Sequence, residues 1–280
     1  LEALGVGRPG GRIVGALVFA FSPILLAQVA YRSGSVLPTV LVPLALVPLI
    51  TGAREGSPRR AAARSAVAVA FMGGVNGAAT FLVLAVPVLY LLTREPGPRR
   101  RRLTLWWGGL VVAATLWWIG PLLLQQRYGL DFLSVTEQAA ATTQANSLGQ
   151  ILRGTAYWEL DLQVGGQPWL PAGVRFGSQA VTVLGTAVIA VFGVVGLALT
   201  GLRERRYLVL LLAGGVAAMA AGYAGPVGGP LSGAVQDLLD GPLAPARNLH
   251  KMAPLVALPL AVGVAHALDR WATRREARIV

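Results

Sequence analysis

Two polar stretches hold the side chains of this chain that could do chemistry. The first reads Arg127-Tyr128-Gly129-Leu130-Asp131-Phe132-Leu133-Ser134-Val135-Thr136-Glu137 and supplies two carboxylates, Asp131 and Glu137. A carboxylate facing a cavity can take the proton of a hydroxyl as that hydroxyl becomes a nucleophile. Each also has a plain structural reading: Asp131 suits a turn, and Ser134 with Glu137 three residues later forms a capping box predicting a helix from Val135 to about Ala145. The second stretch, Pro245-Ala246-Arg247-Asn248-Leu249-His250-Lys251, places Arg247, His250 and Lys251 within five residues. Such a cluster can hold a phosphate or stabilise it as a leaving group; ordinary anchoring to lipid head groups is the competing reading. Tyr157, Trp158 and Trp169 lie near Arg153, Glu159 and Asp161. Aromatic faces beside carboxylates suit a sugar, and interfacial anchoring of a loop accounts for the same residues. Asn76 and Asn248 join these aromatics as candidate cavity residues.

Other chemistry is not encoded. The chain has no Cys and two His, which argues against a transition-metal site, so no metal ligands are assigned and a divalent cation is left open as a cofactor. No phosphate-cradling Gly-rich loop, nucleophile elbow, zinc helix or dinucleotide fingerprint occurs. His266 lies fifteen residues beyond Lys251, about 22 Å along a continuous helix at 1.5 Å per residue, and is expected to be structural.

The elements that must position these residues are membrane spans. Hydrophobic residues make up 55% of the chain and charged residues 13%, with a mean hydropathy of +0.62, too apolar for one soluble core. The net charge of +12 sits largely in short Arg-rich turns between apolar stretches, which excludes a nucleic-acid reading. Spans are expected at Ile13–Ala30, Val36–Ile50, Leu103–Leu124, Ala180–Leu199, Tyr207–Tyr223 and Pro254–Leu268. A polar turn, Tyr31 to Ser35, separates the first two. Pro38, Pro43 and Pro48 in the second demand neighbouring helices or a cavity. Ala61–Leu92 lies between two Arg clusters and is interrupted at Gly73-Gly74-Val75-Asn76-Gly77. Each half falls short of the ~20 residues of a full crossing, so a hairpin or re-entrant pair with Asn76 at its tip is predicted.

This topology puts 18 of the 24 basic residues on one side, leaving Arg32, Arg127, Arg153, Arg175, Arg247 and Lys251 on the other. The positive-inside rule makes the Arg-rich side cytoplasmic. The polar segments 125–179 and 224–253 are then outer loops. Leu231, Val235, Leu238 and Leu239 in the second are spaced for an amphipathic helix on the membrane surface. Residues 1–280 read as a single membrane domain. The chain starts at Leu1 without a signal-peptide pattern and is expected to be an excerpt of a longer protein.

The succession Gly73-Gly74-Val75-Asn76-Gly77-Ala78, Arg127-Tyr128 through Glu137 and Thr142-Thr143, Arg153-Gly154 with Trp158, and Pro245 to Lys251 resembles the actinobacterial membrane α-(1→3)-arabinofuranosyltransferases, specifically their N-terminal membrane portion. The resemblance runs from about Gly15 to His266. It implies an all-α, polytopic helix bundle of GT-C type, with about six full spans and a short hairpin or re-entrant pair in the plasma membrane. It also implies transfer of arabinofuranose from a polyprenyl-phosphate donor to a cell-envelope arabinan on the outer face. Glu137 and Asp131 become the candidate catalytic carboxylates, and Arg247, His250 and Lys251 the donor-phosphate cluster. Asn76, Asn248, Tyr157, Trp158 and Trp169 become the cavity and sugar-binding residues. Two departures stand out. Enzymes of this type carry an essential acidic residue in their first outer loop, and no such loop precedes Ile13. After His250-Lys251 the chain reads Met252-Ala253 where Phe-Asp is usual.

Two other functions compete: a transporter or flippase of an anionic lipid or glycolipid, which broken helices suit, and a scaffold whose Arg-rich loops dock anionic lipid or an acidic protein. Transport needs ionisable residues near the bilayer midplane, and the spans carry almost none.

Overall fold

A computed structural model describes residues 1–276; the side chains of Ser134, Asp161, Arg274 and Arg275, and all of Arg278, lie outside the described residues. Among the described residues the fold is all-α apart from one two-residue antiparallel hairpin, β1 (Gln163–Val164) with β2 (Gln167–Pro168). Four stretches of these residues are long and apolar enough to cross a membrane: Pro23–Arg54, Pro98–Tyr128, Ala180–Ala198 and Leu249–Thr273. The protein is a membrane protein.

Helix α1 (Pro9–Ala20) ends at Phe21, and α2 (Pro23–Arg54) starts with a proline at its first position, where the missing N–H costs nothing. The expected span Ile13–Ala30 is therefore broken at Phe21-Ser22. The expected interruption at Tyr31–Ser35 is present, but as a kink instead of a polar turn: Arg32 (φ −143°, ψ 44°) is non-helical and parts α2 into two helical stretches, the second carrying Pro38, Pro43 and Pro48.

Helices α3 (Pro58–Met72), α4 (Gly77–Val83) and α5 (Ala85–Thr93) follow, with the break at Gly73–Asn76 that the glycines predict. Trp118 of α6 (Pro98–Tyr128) packs on this break, and a Cβ at Gly74 would lie 2.6 Å from Trp118 Cβ. Each Trp pair of α6 splits, one ring buried (Trp107, Trp118) and one exposed (Trp106, Trp117). A hydrogen-bond chain ties three helices: Trp107 Nε1 donates to Ser65 Oγ at 2.9 Å, and Ser65 Oγ donates to the Ala45 carbonyl at 2.6 Å.

After α6 come α7 (Ala139–Thr143), α8 (Leu148–Arg153), the β hairpin, α9 (Pro171–Ser178), α10 (Ala180–Ala198), α11 (Arg205–Ala220), α12 (Ser232–Asp240) and α13 (Pro254–Glu276). The helix predicted from the Ser134–Glu137 capping box is shorter than expected and begins later. Phe132–Val135 is a 3-10 turn, Thr136 is extended, and α7 starts only at Ala139. The amphipathic helix predicted around Leu231–Leu239 is present as α12, with Leu239 buried and Leu231 and Leu238 exposed.

Helix α13 is the axis of the bundle. Of its apolar window 78% is buried, against 22% for α6 and for α10, so those two are peripheral and present Leu105, Leu116, Leu184 and Val188 outward. Close approach of α10 and α13 needs glycine: a Cβ on Gly196 would sit 1.8 Å from the Gly263 carbonyl oxygen. The Arg-rich turns gather at one end. There Glu204 accepts from Arg54 at 3.1 Å and also pairs with Arg94, bringing both ends of the interrupted 58–93 stretch to that end. Arg8 pairs with Asp269 at 3.5 Å, and His266 Nε2 lies 3.1 Å from the Thr200 carbonyl. The polar loops form the opposite end.

Candidate active site

The loop end is assembled from four segments: the kink of α2, the break before α4, residues 131–161, and the 3-10 turn Leu249–Met252 that leads into α13. Glu137 is held there through both its backbone and its side chain. Arg247 donates Nη1 to the Glu137 carbonyl, and the next residue, Asn248, donates Nδ2 to Glu137 Oε1. Asn248 Oδ1 in turn accepts from Trp158 Nε1 at 2.8 Å. Backbone and side chain of Glu137 are thus gripped by consecutive residues 110 and 111 positions away.

A second carboxylate, Glu159, is buried and pairs with Arg32 through Oε1, while its Oε2 accepts from Gln28 at 3.1 Å. Burial pushes its pKa above the ordinary carboxylate value, and Arg32 pulls against that shift. The Lys251 ammonium interacts electrostatically with Arg32, Glu137 and Glu159 but makes no hydrogen bond or ion pair among the described residues. His250 is buried, with Nδ1 unpartnered among the described residues. His250, Lys251, Arg32, Gln28 and Asn76 line one small polar cavity of about 10 Å³, room for roughly one water. Next to it, sharing Ile24, an apolar groove of about 420 Å³ lies between α1, α8, α10 and α13.

The predicted residues divide as follows. Glu137, Asn248 and Trp158 form one hydrogen-bonded chain. His250, Lys251 and Asn76 share the polar cavity; Asn76 Oδ1 also caps α4 by accepting from Ala79 N at 3.1 Å. Arg247 requires correction as a phosphate ligand. It is 4% exposed, and its guanidinium donates to the carbonyls of Ala244 (3.2 Å), Leu133 (2.5 Å) and Glu137 and lies 3.5 Å from Asp240 Oδ1. Its donors are spent on the loop. Tyr157 requires correction as a sugar-binding residue, because its ring is fully buried among Leu160, Leu170 and Ile24 and its hydroxyl pKa is raised by burial. Trp169 packs at the edge of the same cluster, 6.2 Å from Tyr31. Asp131 is exposed. Arg32 and Gln28 escaped the sequence reading; the signal available was a lone Arg between two apolar stretches on the Arg-poor side. Among the described residues no group of three His, Asp or Glu side chains converges; buried Glu159 is taken by Arg32 and Gln28, and half-buried Glu137 gives one oxygen to Asn248. A divalent cation therefore finds no ready ligand set there.

The profile of the α-(1→3)-arabinofuranosyltransferase N-terminal GT-C domain matches residues 1–280. The chain belongs to this family. The α-(1→3)-arabinofuranosyltransferase of Mycolicibacterium smegmatis is 39% identical over 270 residues, covering 96% of this chain and 19% of the relative. That of Mycobacterium tuberculosis is 37% identical over 274 residues, with the same coverage. The cryo-EM structure of arabinofuranosyltransferase AftD from mycobacteria superposes with a TM-score of 0.68 at 34% identity, over 96% of this chain and 16% of that one. The chain thus spans about a fifth of the length of these relatives and corresponds to a GT-C membrane domain.

Proposed function

We propose that this domain carries the transfer site of a lipid-linked arabinofuranosyltransferase. The supporting observation is the grip of Arg247 and Asn248 on Glu137, within electrostatic reach of a Lys251 ammonium that has no partner among the described residues. In this reading the bundle crosses the plasma membrane about six times, with α3 to α5 as a re-entrant pair. The Arg-rich end is cytoplasmic, where it meets anionic lipid or an acidic protein, and segments 125–179 and 224–253 lie on the outer face. The donor is a polyprenyl-phosphate arabinofuranose and the acceptor an arabinan of the cell envelope. The prenyl chain takes the apolar groove beside Ile24 and Ala253, which brings its phosphate toward Lys251.

An acceptor hydroxyl oxygen attacks the anomeric carbon. The bond from that carbon to the phosphate oxygen breaks, the phosphate leaves with the electron pair, and the hydroxyl proton passes to Glu137. Lys251 stabilises the charge that builds on the departing phosphate. The test is arabinose transfer to a synthetic arabinan by the full-length protein, with and without Glu137→Gln. Loss of transfer with donor binding and folding intact supports the reading. Unchanged transfer removes Glu137 from the chemistry. A wild type that binds donor without transferring it overturns the enzyme reading in favour of transport.

A further inference from the structure

The indole N–H of Trp158 is committed, whatever its ring face meets. It donates to Asn248 Oδ1 at 2.8 Å, and the same amide donates Nδ2 to Glu137 Oε1. An amide's oxygen and nitrogen are alike in shape, and what fixes their placement is the hydrogen-bond network. Here both ends fix it. An indole only donates, so the amide oxygen must face Trp158; an ionised carboxylate only accepts, so the amide nitrogen must face Glu137. Reversing the amide would break both bonds and set its oxygen against the carboxylate. Glu137 Oε2 has no hydrogen bond among the described residues, so the chain restrains one carboxylate oxygen and leaves the other open.

Trp158 itself is braced on both sides. Tyr157 is locked in an apolar cluster, and Glu159 is tied to α2 through Arg32 and Gln28. The 3-10 turn Trp158–Asp161 therefore transmits the position of α2 to the carboxylate.

We propose that Trp158 and Asn248 form a positioning relay that aims Glu137: the indole sets the Asn248 amide, and the amide sets the carboxylate. This rests on the reading of Glu137 as proton acceptor. The charged or titratable groups near Glu137 are Lys251, His250, Glu159 and, through the Glu137 carbonyl, Arg247, with Arg32 beyond Glu159. None is altered in the test.

The experiment is the steady-state kinetics of the full-length protein with Trp158→Phe, Asn248→Ala and the pair combined. Trp158→Phe keeps a ring and removes only the donor. We expect kcat to fall about tenfold or more in Asn248→Ala and by severalfold in Trp158→Phe, with donor KM within about twofold of wild type. In the combined variant Trp158→Phe should add nothing to Asn248→Ala, because the chain is already cut. Asn248→Asp, nearly isosteric, serves if Asn248→Ala fails to fold: its carboxylate has no amide N–H to give Glu137, so kcat should fall with donor KM unchanged. An unchanged kcat, a loss that falls on KM instead of kcat, or effects that multiply in the combined variant, overturns the relay. If Glu137→Gln abolishes transfer while these variants match wild type, the relay alone has failed. If Glu137→Gln is fully active, the underlying reading has failed with it.

Discussion

Arg247 separates two accounts of the cationic stretch by experiment. If it binds the donor phosphate, Arg247→Ala raises the donor's Kd and leaves the fold alone. The geometry predicts the reverse. Its guanidinium donates to three carbonyls, of Leu133, Glu137 and Ala244, at 4% exposure. At about 1 kcal/mol net for each such bond, removing the side chain costs the loop about 3 kcal/mol. It also leaves Asp240, which accepts from Ala139 N at 2.8 Å, without its cation. A local loss of about 3 kcal/mol corresponds to opening on the order of a hundredfold more often. Hydrogen exchange of the Ala139 amide and its neighbours should accelerate by that order in the full-length protein. Transfer should fall while donor binding stays within about twofold of wild type. Arg247→Lys should rescue little, because one ammonium cannot serve three carbonyls that a planar fork reaches at once. A weakened donor affinity with wild-type exchange in segment 132–145 would refute this reasoning.

Other perturbations follow from the same contacts. Gly196→Ala places a methyl where the Gly263 carbonyl lies 1.8 Å away, so α10 must part from α13 and thermal stability should drop by about 1–3 kcal/mol, read from unfolding in detergent. Trp118→Ala removes the ring that covers Gly74 and Gly77 and should cost about 3 kcal/mol or more, read the same way. Glu159 is held above the ordinary carboxylate value of 4.5 by burial, with Arg32 opposing. A raised carboxylate pKa stabilises the fold below its unfolded value, and that stabilisation is lost as pH rises through the folded value. Melting temperature followed upward from pH 4.5 should therefore show this loss in wild type, and Glu159→Gln should flatten it.

The features legible in the sequence are those fixed by neighbours in the chain. The Arg clusters at the two ends of the 58–93 stretch required one side for both, and Arg54 and Arg94 do meet on Glu204. The glycines at 73–77 required a break, and Trp118 fills the space they leave. Local pattern failed where a distant partner took over. Tyr31-Arg32-Ser33-Gly34-Ser35 reads as a polar turn, yet the chain breaks there only by a kink at Arg32, whose side chain is held by Glu159 127 residues on. The Ser134–Glu137 pattern reads as a capping box, yet the Glu137 carboxylate goes to Asn248 instead of the backbone, and the expected first turn is lost.

The same argument sorts the cations of the loop end, which sequence proximity had grouped as equals. Arg247 is spent on carbonyls, Arg32 on Glu159, and Arg153 on Thr186 Oγ1 and the Phe176 carbonyl. Arg127 and Arg175 are exposed. Lys251, the only lysine in the chain, is half-buried in the polar cavity, and its ammonium has neither hydrogen bond nor ion pair among the described residues. A guanidinium's fixed fork suits the carbonyls and carboxylate that hold this loop together, whereas a flexible ammonium can follow a phosphate as it departs. A cation left half-buried without a partner is costly unless something arrives to pair with it. Of the two fixed cations singled out by spacing, Arg247 and Lys251, only Lys251 combines position with availability.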